Sequence, residues 1–410
     1  MTSPRDALPT VTSNSTTPSE RRETRSRVLV IFGTRPEAIK LCPLVRELRA
    51  GALEQRMEPV VCVTAQHRQM LDQVLEVFDV RPDFDLNVMQ PGQSLPGLTS
   101  RLIAGLEPIM AEVRPSIVVV QGDTTTTFCG ALAAFYGGVP VAHVEAGLRT
   151  FDLKSPFPEE MNRLLTSRLT ALHFAATPRA SRNLEAEGVS KDSISVTGNT
   201  GIDAVLWVRD ALLGGRLTVK RLPLDATRRL VVVTAHRRES FGAGFERICY
   251  AIGTLASRDD VQVVWPVHLN PIVRGTVFSR LKNHPNILFL EPLDYVPFVD
   301  LMQRAWILIT DSGGIQEEGP SLGKPVLVLR DKTERPEAVE AGTVKLVGTN
   351  TELIVKETVR LLDGGAEYRR MARLHNPYGD GKACRRIAER IVTFLDQVRL
   401  AKVAELGSQN

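Results

Sequence analysis

Cysteine is scarce in this chain and follows no pattern. Cys42, Cys62, Cys129, Cys249 and Cys384 are widely spaced, odd in number and without a CxxC pair. Most lie in apolar runs, which argues against a disulfide scaffold and fits buried thiols in a reducing cytoplasm. The seven histidines are scattered, with no H-x-E-x-H or similar spacing, so no metal site is expected. There is no G-x-G-x-x-G fingerprint, so no dinucleotide cofactor is indicated. No apolar run approaches the ~20 residues of a membrane span. A net charge of +4 is small for 410 residues, and the basic residues are spread along the chain except at Arg21–Arg27. That distribution does not call for nucleic acid. Residues 1–26, rich in Ser, Thr, Pro and Arg, have no apolar segment of the secretory kind and are expected to be disordered.

What remains is the composition of a globular protein, 43% hydrophobic and 24% charged, with a length that suggests two or three domains. The chain is organised around Ile117–Arg163. Two β-branched runs, Ile117–Val120 and Val139–Val144, have the character of buried parallel strands. The small-residue stretch FCGALAAFYGG between them reads as a helix opened by the Asp-Thr group. Such a unit is a right-handed crossover, which sets Asp123 and Glu145 at the same carboxyl edge of one sheet, where open α/β sheets bind ligands. Glu159 and Glu160 follow, with Arg163 one turn on. Carboxyl groups crowded at one edge suit proton transfer, because burial and mutual repulsion separate an acid from a base. The plainer reading makes Asp123 a helix cap, Glu145 a loop charge and the Glu pair a solvated face.

Upstream, RVLVIFGTRPEAIKLCPLVRELR reads as a strand, a turn and a helix with Pro36 near its start. Gly33 would let the backbone approach a ligand, and Arg35 and Lys40 add positive charge where the helix dipole already favours an anion. A second such unit carries Gln66, His67, Arg68 and Gln69 at its strand-to-helix junction. A boundary is expected near Gly198–Asp203, after which the βα rhythm restarts. There His236 ends a strand beside Arg237 and Arg238, a grouping suited to a phosphate. In LITDSGGIQEE, the small residues Ser312, Gly313 and Gly314 would expose backbone N–H groups to a diphosphate, and Glu318 stands one turn on, placed to take two ribose hydroxyls. The expected organisation is an α/β chain with two Rossmann-like, doubly wound domains facing across a cleft. The N-terminal domain spans 27–200 and the C-terminal domain 201–375. A helix in 376–398 crosses back to the first domain, and 399–410 form a tail.

Taken together, GTRPEAIK, TAQHRQMLDQVL, GDTTTT, HVEAGLRT, SPFPEE-x-NR, HRRES, PVHLNP, TDSGGIQEE, RDKTERPEA and HNPYGDG closely resemble the non-hydrolysing bacterial UDP-N-acetylglucosamine 2-epimerases. The match runs from about Arg27 to the last helix. The resemblance implies a GT-B-like fold, a homodimer, no cofactor, and interconversion of UDP-N-acetylglucosamine and UDP-N-acetylmannosamine by elimination and re-addition of UDP. By the same resemblance Asp123, Glu145 and Glu159 match the family's catalytic carboxylates and His236 its histidine at the diphosphate. Arg35 and Lys40 match residues near the phosphates and active site. Ser312, Gly313, Gly314 and Glu318 match UDP contacts, Phe298 lies beside the uracil, and Arg163 braces the carboxylates. Gln66, Gln69, Arg237 and His268 match a second, activating substrate site of some members. Gly92 stands where some regulated relatives carry Arg, and Gly319 where Ala is usual, a change expected to be harmless. A hydrolysing epimerase or a GT-B glycosyltransferase would share the fold. The motifs match the non-hydrolysing branch, and the carboxylate cluster argues against a transferase.

Overall fold

The computed structural model describes residues 25–64, 68–90 and 92–407. Seven parallel strands form the first sheet: β1 (Ser26–Phe32), β2 (Met57–Val63), β3 (Phe84–Asp85), β4 (Ile117–Gln121), β5 (Val141–Ala146), β6 (Leu172–Ala175) and β7 (Ile194–Val196), in the order β3-β2-β1-β4-β5-β6-β7. Six more parallel strands form the second: β8 (Arg229–Thr234), β9 (Val261–Pro266), β10 (Ile287–Leu290), β11 (Ile307–Thr310), β12 (Val326–Val328) and β13 (Val344–Leu346), in the order β10-β9-β8-β11-β12-β13. The central strands are almost wholly buried because helices cover both faces, which is why they read as unbroken Val/Ile/Leu runs. In each sheet the strand order reverses between the first and fourth strands, β1/β4 and β8/β11. Those two switch points are where such sheets open a crevice at their carboxyl ends. The arrangement is GT-B-like.

Six helices frame the two sheet edges: α1 (Arg35–Leu48), α2 (Thr125–Tyr136), α3 (Glu159–Leu169), α4 (Thr200–Leu213), α5 (Gly313–Ser321) and α6 (Ala383–Gly407). The stretch read as a boundary is the start of α4. This helix packs against α1 on one side and against α5 and helix Tyr295–Arg304 on the other. One contiguous buried core therefore runs through both halves, from Val30, Leu44 and Val205 to Val299, Leu308 and Ile387. Helix α6 packs on α1 and α4, and its first backbone N–H groups, at Ala383 and Cys384, donate to Asp203.

Several local expectations differ from the structure. Residues 1–24 of the stretch assigned to the tail lie outside the described residues, whereas Ser26 within it is buried and opens β1, its N–H donating to Arg56 O at 2.8 Å. At the other end α6 runs to Gly407, well beyond residue 398. The cap of α2 is Thr124, whose hydroxyl accepts the Thr127 N–H, so Asp123 is released from capping. Packing alone requires Gly33: a Cβ there would lie 2.0 Å from Thr64 Oγ1 and 2.9 Å from Thr126 Oγ1, two hydroxyls that bond each other. At Gly319 a Cβ would come within 2.8 Å of Leu308 Cδ1 and Val326 Cγ2, so an alanine there requires those methyls to shift. All five cysteines are buried free thiols, and no helix among the described residues is long and apolar enough to cross a membrane.

Candidate active site

At the first switch point the two strand-to-helix turns are tied together by Glu37. Its Oε2 accepts the N–H groups of Gly33 (3.0 Å) and Thr34 (2.7 Å), completing a capping box with Thr34. Its Oε1 accepts the hydroxyls of Thr124 (2.7 Å) and Thr127 (3.2 Å) on the turn after β4. One buried carboxylate thus fixes the spacing of the loops that carry Arg35 and Asp123.

Glu145 sits in β5 with φ of 64°, a left-handed backbone in a residue other than glycine. It is the irregular residue between Val144 and Ala146, where the register with β6 shifts. The irregularity interrupts the in-and-out alternation and delivers the carboxylate to the sheet edge. There Lys40 Nζ lies 2.7 Å from Oε1 and 2.6 Å from Oε2, and the Gln121 amide also donates to Oε2. Burial opposes the charge on Glu145, but Lys40, with Arg335 and Arg163 behind it, outweighs burial and holds the carboxyl below its usual range. Lys40 is likewise opposed by burial and held charged by Glu145 and then Glu317.

Asp123 meets Arg163, whose Nε and Nη2 donate to Oδ2 at 3.0 and 2.7 Å. Arg163 Nη1 donates to Glu160 Oε2 at 2.9 Å, and Glu160, 0% exposed, also accepts the N–H groups of Thr150 and Phe151. Glu159 is half-buried at the first position of α3. The residue of the Glu pair that grips Arg163 is therefore Glu160.

Across the cleft, a pocket of about 320 Å³ is lined by Arg35, His236, His268, Phe298, Ser312 and Ile315, among others. Five of these residues are candidates from the sequence, drawn from segments more than two hundred residues apart. Ser312 is the N-cap of α5 and its hydroxyl makes no cap bond. Gly313 leaves room for the Arg335 guanidinium, since a Cβ would fall 2.8 Å from Arg335 Cζ. Arg335 Nε bonds Glu317 Oε1 at 2.7 Å, and Glu317 Oε2 accepts the Asn199 amide at 2.9 Å, linking α5 to the start of α4. Glu318 is partly buried; desolvation first, and then the neighbouring Glu317, push its carboxyl up to about 8. His236 stacks on His268 with centroids 5.3 Å apart, and its Nδ1 lies 3.2 Å from Asp311 Oδ1. Burial holds the His236 imidazole below its ordinary value, with Asp311 opposing and Arg237 and His268 assisting.

Gln121, Glu37, Asp311, Glu317 and Arg335 do not stand out in the sequence. Glu317 and Asp311 lie inside TDSGGIQEE, and Arg335 inside RDKTERPEA, but nothing local marks them as partners of distant groups.

The family model described as UDP-N-acetylglucosamine 2-epimerase matches residues 50–392, a span that holds most of this constellation. The UDP-N-acetylglucosamine 2-epimerase of Escherichia coli K12 is 56% identical over 369 residues, covering 88% of this chain and 97% of its own. This chain belongs to the UDP-N-acetylglucosamine 2-epimerase family. Its fold is similar to that of the Neisseria meningitidis UDP-GlcNAc 2-epimerase bound to UDP-GlcNAc, with a TM-score of 0.81 and 46% identity over 90% of this chain and 100% of that one. It is also similar to the S. aureus MnaA–UDP co-structure, with a TM-score of 0.77 and 45% identity over 90% and 97%.

Of the second-site candidates expected in this epimerase family chain, Gln66 and the side chain of Gln69 lie outside the described residues. Arg237 is exposed beside the pocket and His268 stacks on its histidine. Gly92 has φ of 67° with nothing within 4 Å of a Cβ position. Space for a larger residue exists, but the backbone there is one that arginine rarely adopts.

Proposed function

We propose that this family member interconverts UDP-N-acetylglucosamine and UDP-N-acetylmannosamine without net hydrolysis. The observation that carries the reading is Glu145: a carboxylate set on a left-handed bulge at a sheet edge, kept charged by Lys40, and opposite a pocket lined by Arg35, His236 and Ser312. The epimerised C2 bears an acetamido group and no adjacent carbonyl, so its proton is not acidic. Elimination answers this: the C2–H pair becomes the C1–C2 double bond of 2-acetamidoglucal while the C1–O bond breaks and UDP takes its electrons. Re-addition of the UDP oxygen to C1, with protonation of C2 on the other face, gives the epimer. The carboxylates Asp123, Glu145 and Glu159 serve the proton transfers, Arg163 orienting Asp123. Arg35, His236 and the first turn of α5 neutralise the departing diphosphate, with Phe298 beside the uracil and Glu318 on the ribose.

In this reading residues 27–200 handle the sugar and 201–375 the UDP. The working unit is a homodimer in the cytoplasm, and the product supplies cell-surface polysaccharide. The second site at Gln66, Gln69, Arg237 and His268 would take a further substrate molecule.

Proton NMR with UDP-N-acetylglucosamine in heavy water tests the assignment. UDP-N-acetylmannosamine deuterated at C2 is expected. Free N-acetylmannosamine with stoichiometric UDP would instead place the chain among hydrolysing epimerases, and an unaltered substrate would sink the catalytic reading.

The Glu318 carboxyl, pushed up to about 8, accepts two ribose hydroxyls most strongly when ionised, so below that pH full-strength ligand binding includes loss of a proton. UDP affinity of the unaltered protein, measured against Glu318→Gln by calorimetry, is expected to fall about tenfold per pH unit from about pH 8 to about pH 6. Parallel pH dependence in the two proteins would count against that role.

A further inference from the structure

The carboxylate of Asp311 has no part in the elimination and re-addition of UDP, yet it is 0% exposed at the end of β11, on the second switch point. Its Oδ2 accepts the backbone N–H groups of His236 (2.6 Å) and Arg237 (2.7 Å), bonds that pin the carboxylate in place. Its Oδ1 is buried without a hydrogen bond among the described residues and lies 3.2 Å from His236 Nδ1. A bare carboxylate oxygen in such a place is unfavourable, and the imidazole is the group at hand to satisfy it. At 3.2 Å the half-exposed ring places Nδ1 within donor–acceptor reach of that oxygen. In the neighbouring ring, His268 Nδ1 accepts the Asn270 N–H, whereas His236 Nδ1 faces Asp311 Oδ1.

We infer that Asp311 is a positioning residue for His236: it takes the Nδ1 hydrogen, fixes the tautomer and leaves Nε2 as the atom presented to the ligand's diphosphate. This rests on the proposed role of His236 at the diphosphate. With Nδ1–H committed to Asp311, Nε2 donates to a phosphate oxygen only when the ring is protonated, and a carboxylate at Nδ1 favours that state. The groups facing the ring are Asp311, which supports the charge, Arg237 and His268, which oppose it, and Arg35 across the pocket. An arriving diphosphate adds to the Asp311 side of that balance.

The test reads the ring directly. In histidine-¹⁵N-labelled protein without ligand at about pH 8, long-range proton–nitrogen correlation, assigned by loss of the signal in His236→Gln, is expected to show hydrogen on Nδ1. In Asp311→Asn the amide donates to Nδ1 and the hydrogen is expected on Nε2. Hydrogen on Nε2 in the unaltered protein overturns the inference, and that measurement stands even if Asp311→Asn does not fold. In turnover, Asp311→Asn should lower kcat about 10²-fold with little change in KM, and flatten the alkaline limb of the kcat profile, because a neutral ring then donates from Nε2. Added to His236→Gln it should cost little more, whereas multiplying losses would mark a merely structural residue. Because the tautomer is observed without turnover, it answers separately from the epimerase reading.

Discussion

Glu145→Gln is expected to lower turnover and C2 proton exchange by about 10²–10⁴-fold, the span attributed to a positioned acid or base. UDP binding should stay close to that of the parent. The substitution keeps the shape of the side chain and its contact with the Gln121 amide but removes the charge that Lys40 faces at 2.6 Å. Lys40 then holds a largely enclosed ammonium with Glu317 as its nearest remaining counter-charge. The companion Lys40→Met leaves Glu145 enclosed without its main partner, which raises its carboxyl pKa and shifts the acid limb of the rate profile to higher pH. Rates and UDP affinities are read together: an unchanged rate in Glu145→Gln removes the residue from the chemistry, and a parallel loss of UDP binding makes it structural.

Arg163→Met should cost about 3–5 kcal/mol of stability, the scale for breaking a buried charge pair from one side. Arg163 is 7% exposed in its side chain and holds Asp123 and Glu160 simultaneously, and the Glu160 side chain is 0% exposed. Two backbone N–H groups would remain on Glu160, too few to replace the guanidinium. Arg163→Lys keeps the charge but not the fork, so it should recover only part of the loss, whereas adding Glu160→Gln to Arg163→Met should recover more by removing the stranded charge. Denaturant midpoints with matched slopes measure this. A midpoint unmoved in Arg163→Met would show that the cluster is solvated and flexible.

Both expectations began in the sequence, and the division between what could and could not be read there has a physical cause. Parallel strands covered on both faces must be apolar at every position, so β1, β4, β8 and β11 announce themselves. Once the crossover is recognised, Asp123 and Glu145 follow to one edge by handedness alone. A Glu pair is harder. Neighbours on a helix differ in direction by about 100°, so spacing does not say whether Glu159 or Glu160 turns inward. The bulge at Glu145 has no signal at all, since its backbone is set by the pairing of β5 with β6. Glu37, Asp311 and Glu317 were invisible for a related reason. Their partners, Thr124, His236 and Asn199, lie dozens of residues away, and each looks locally like an ordinary helix or loop residue. The motif resemblance marked segments; it did not say which neighbours inside them grip one another.

The continuity of the core through α4 and α6 limits how this chain can be recombined. Helix α6 follows the second half in sequence yet packs on α1 and α4, with Arg56 bonding Asp396 and Arg399 bonding Ser26. A chimera joined at a single point between the halves would give the first half a foreign α6, setting the core around Leu44 and Val205 against a helix that replaces the one carrying Ile387. A graft with two joints avoids this: Arg229–Arg373 can be exchanged between relatives as an insert while α4 and α6 stay with the first half. The surface that must then match includes the face of α4 against α5 and helix Tyr295–Arg304, the Asn199–Glu317 bond, and the bonds of Thr177 and Tyr378 to Glu337 and of Asn376 to α5. On the proposed division of labour, nucleotide preference would travel with the insert, and the carboxylates would remain behind.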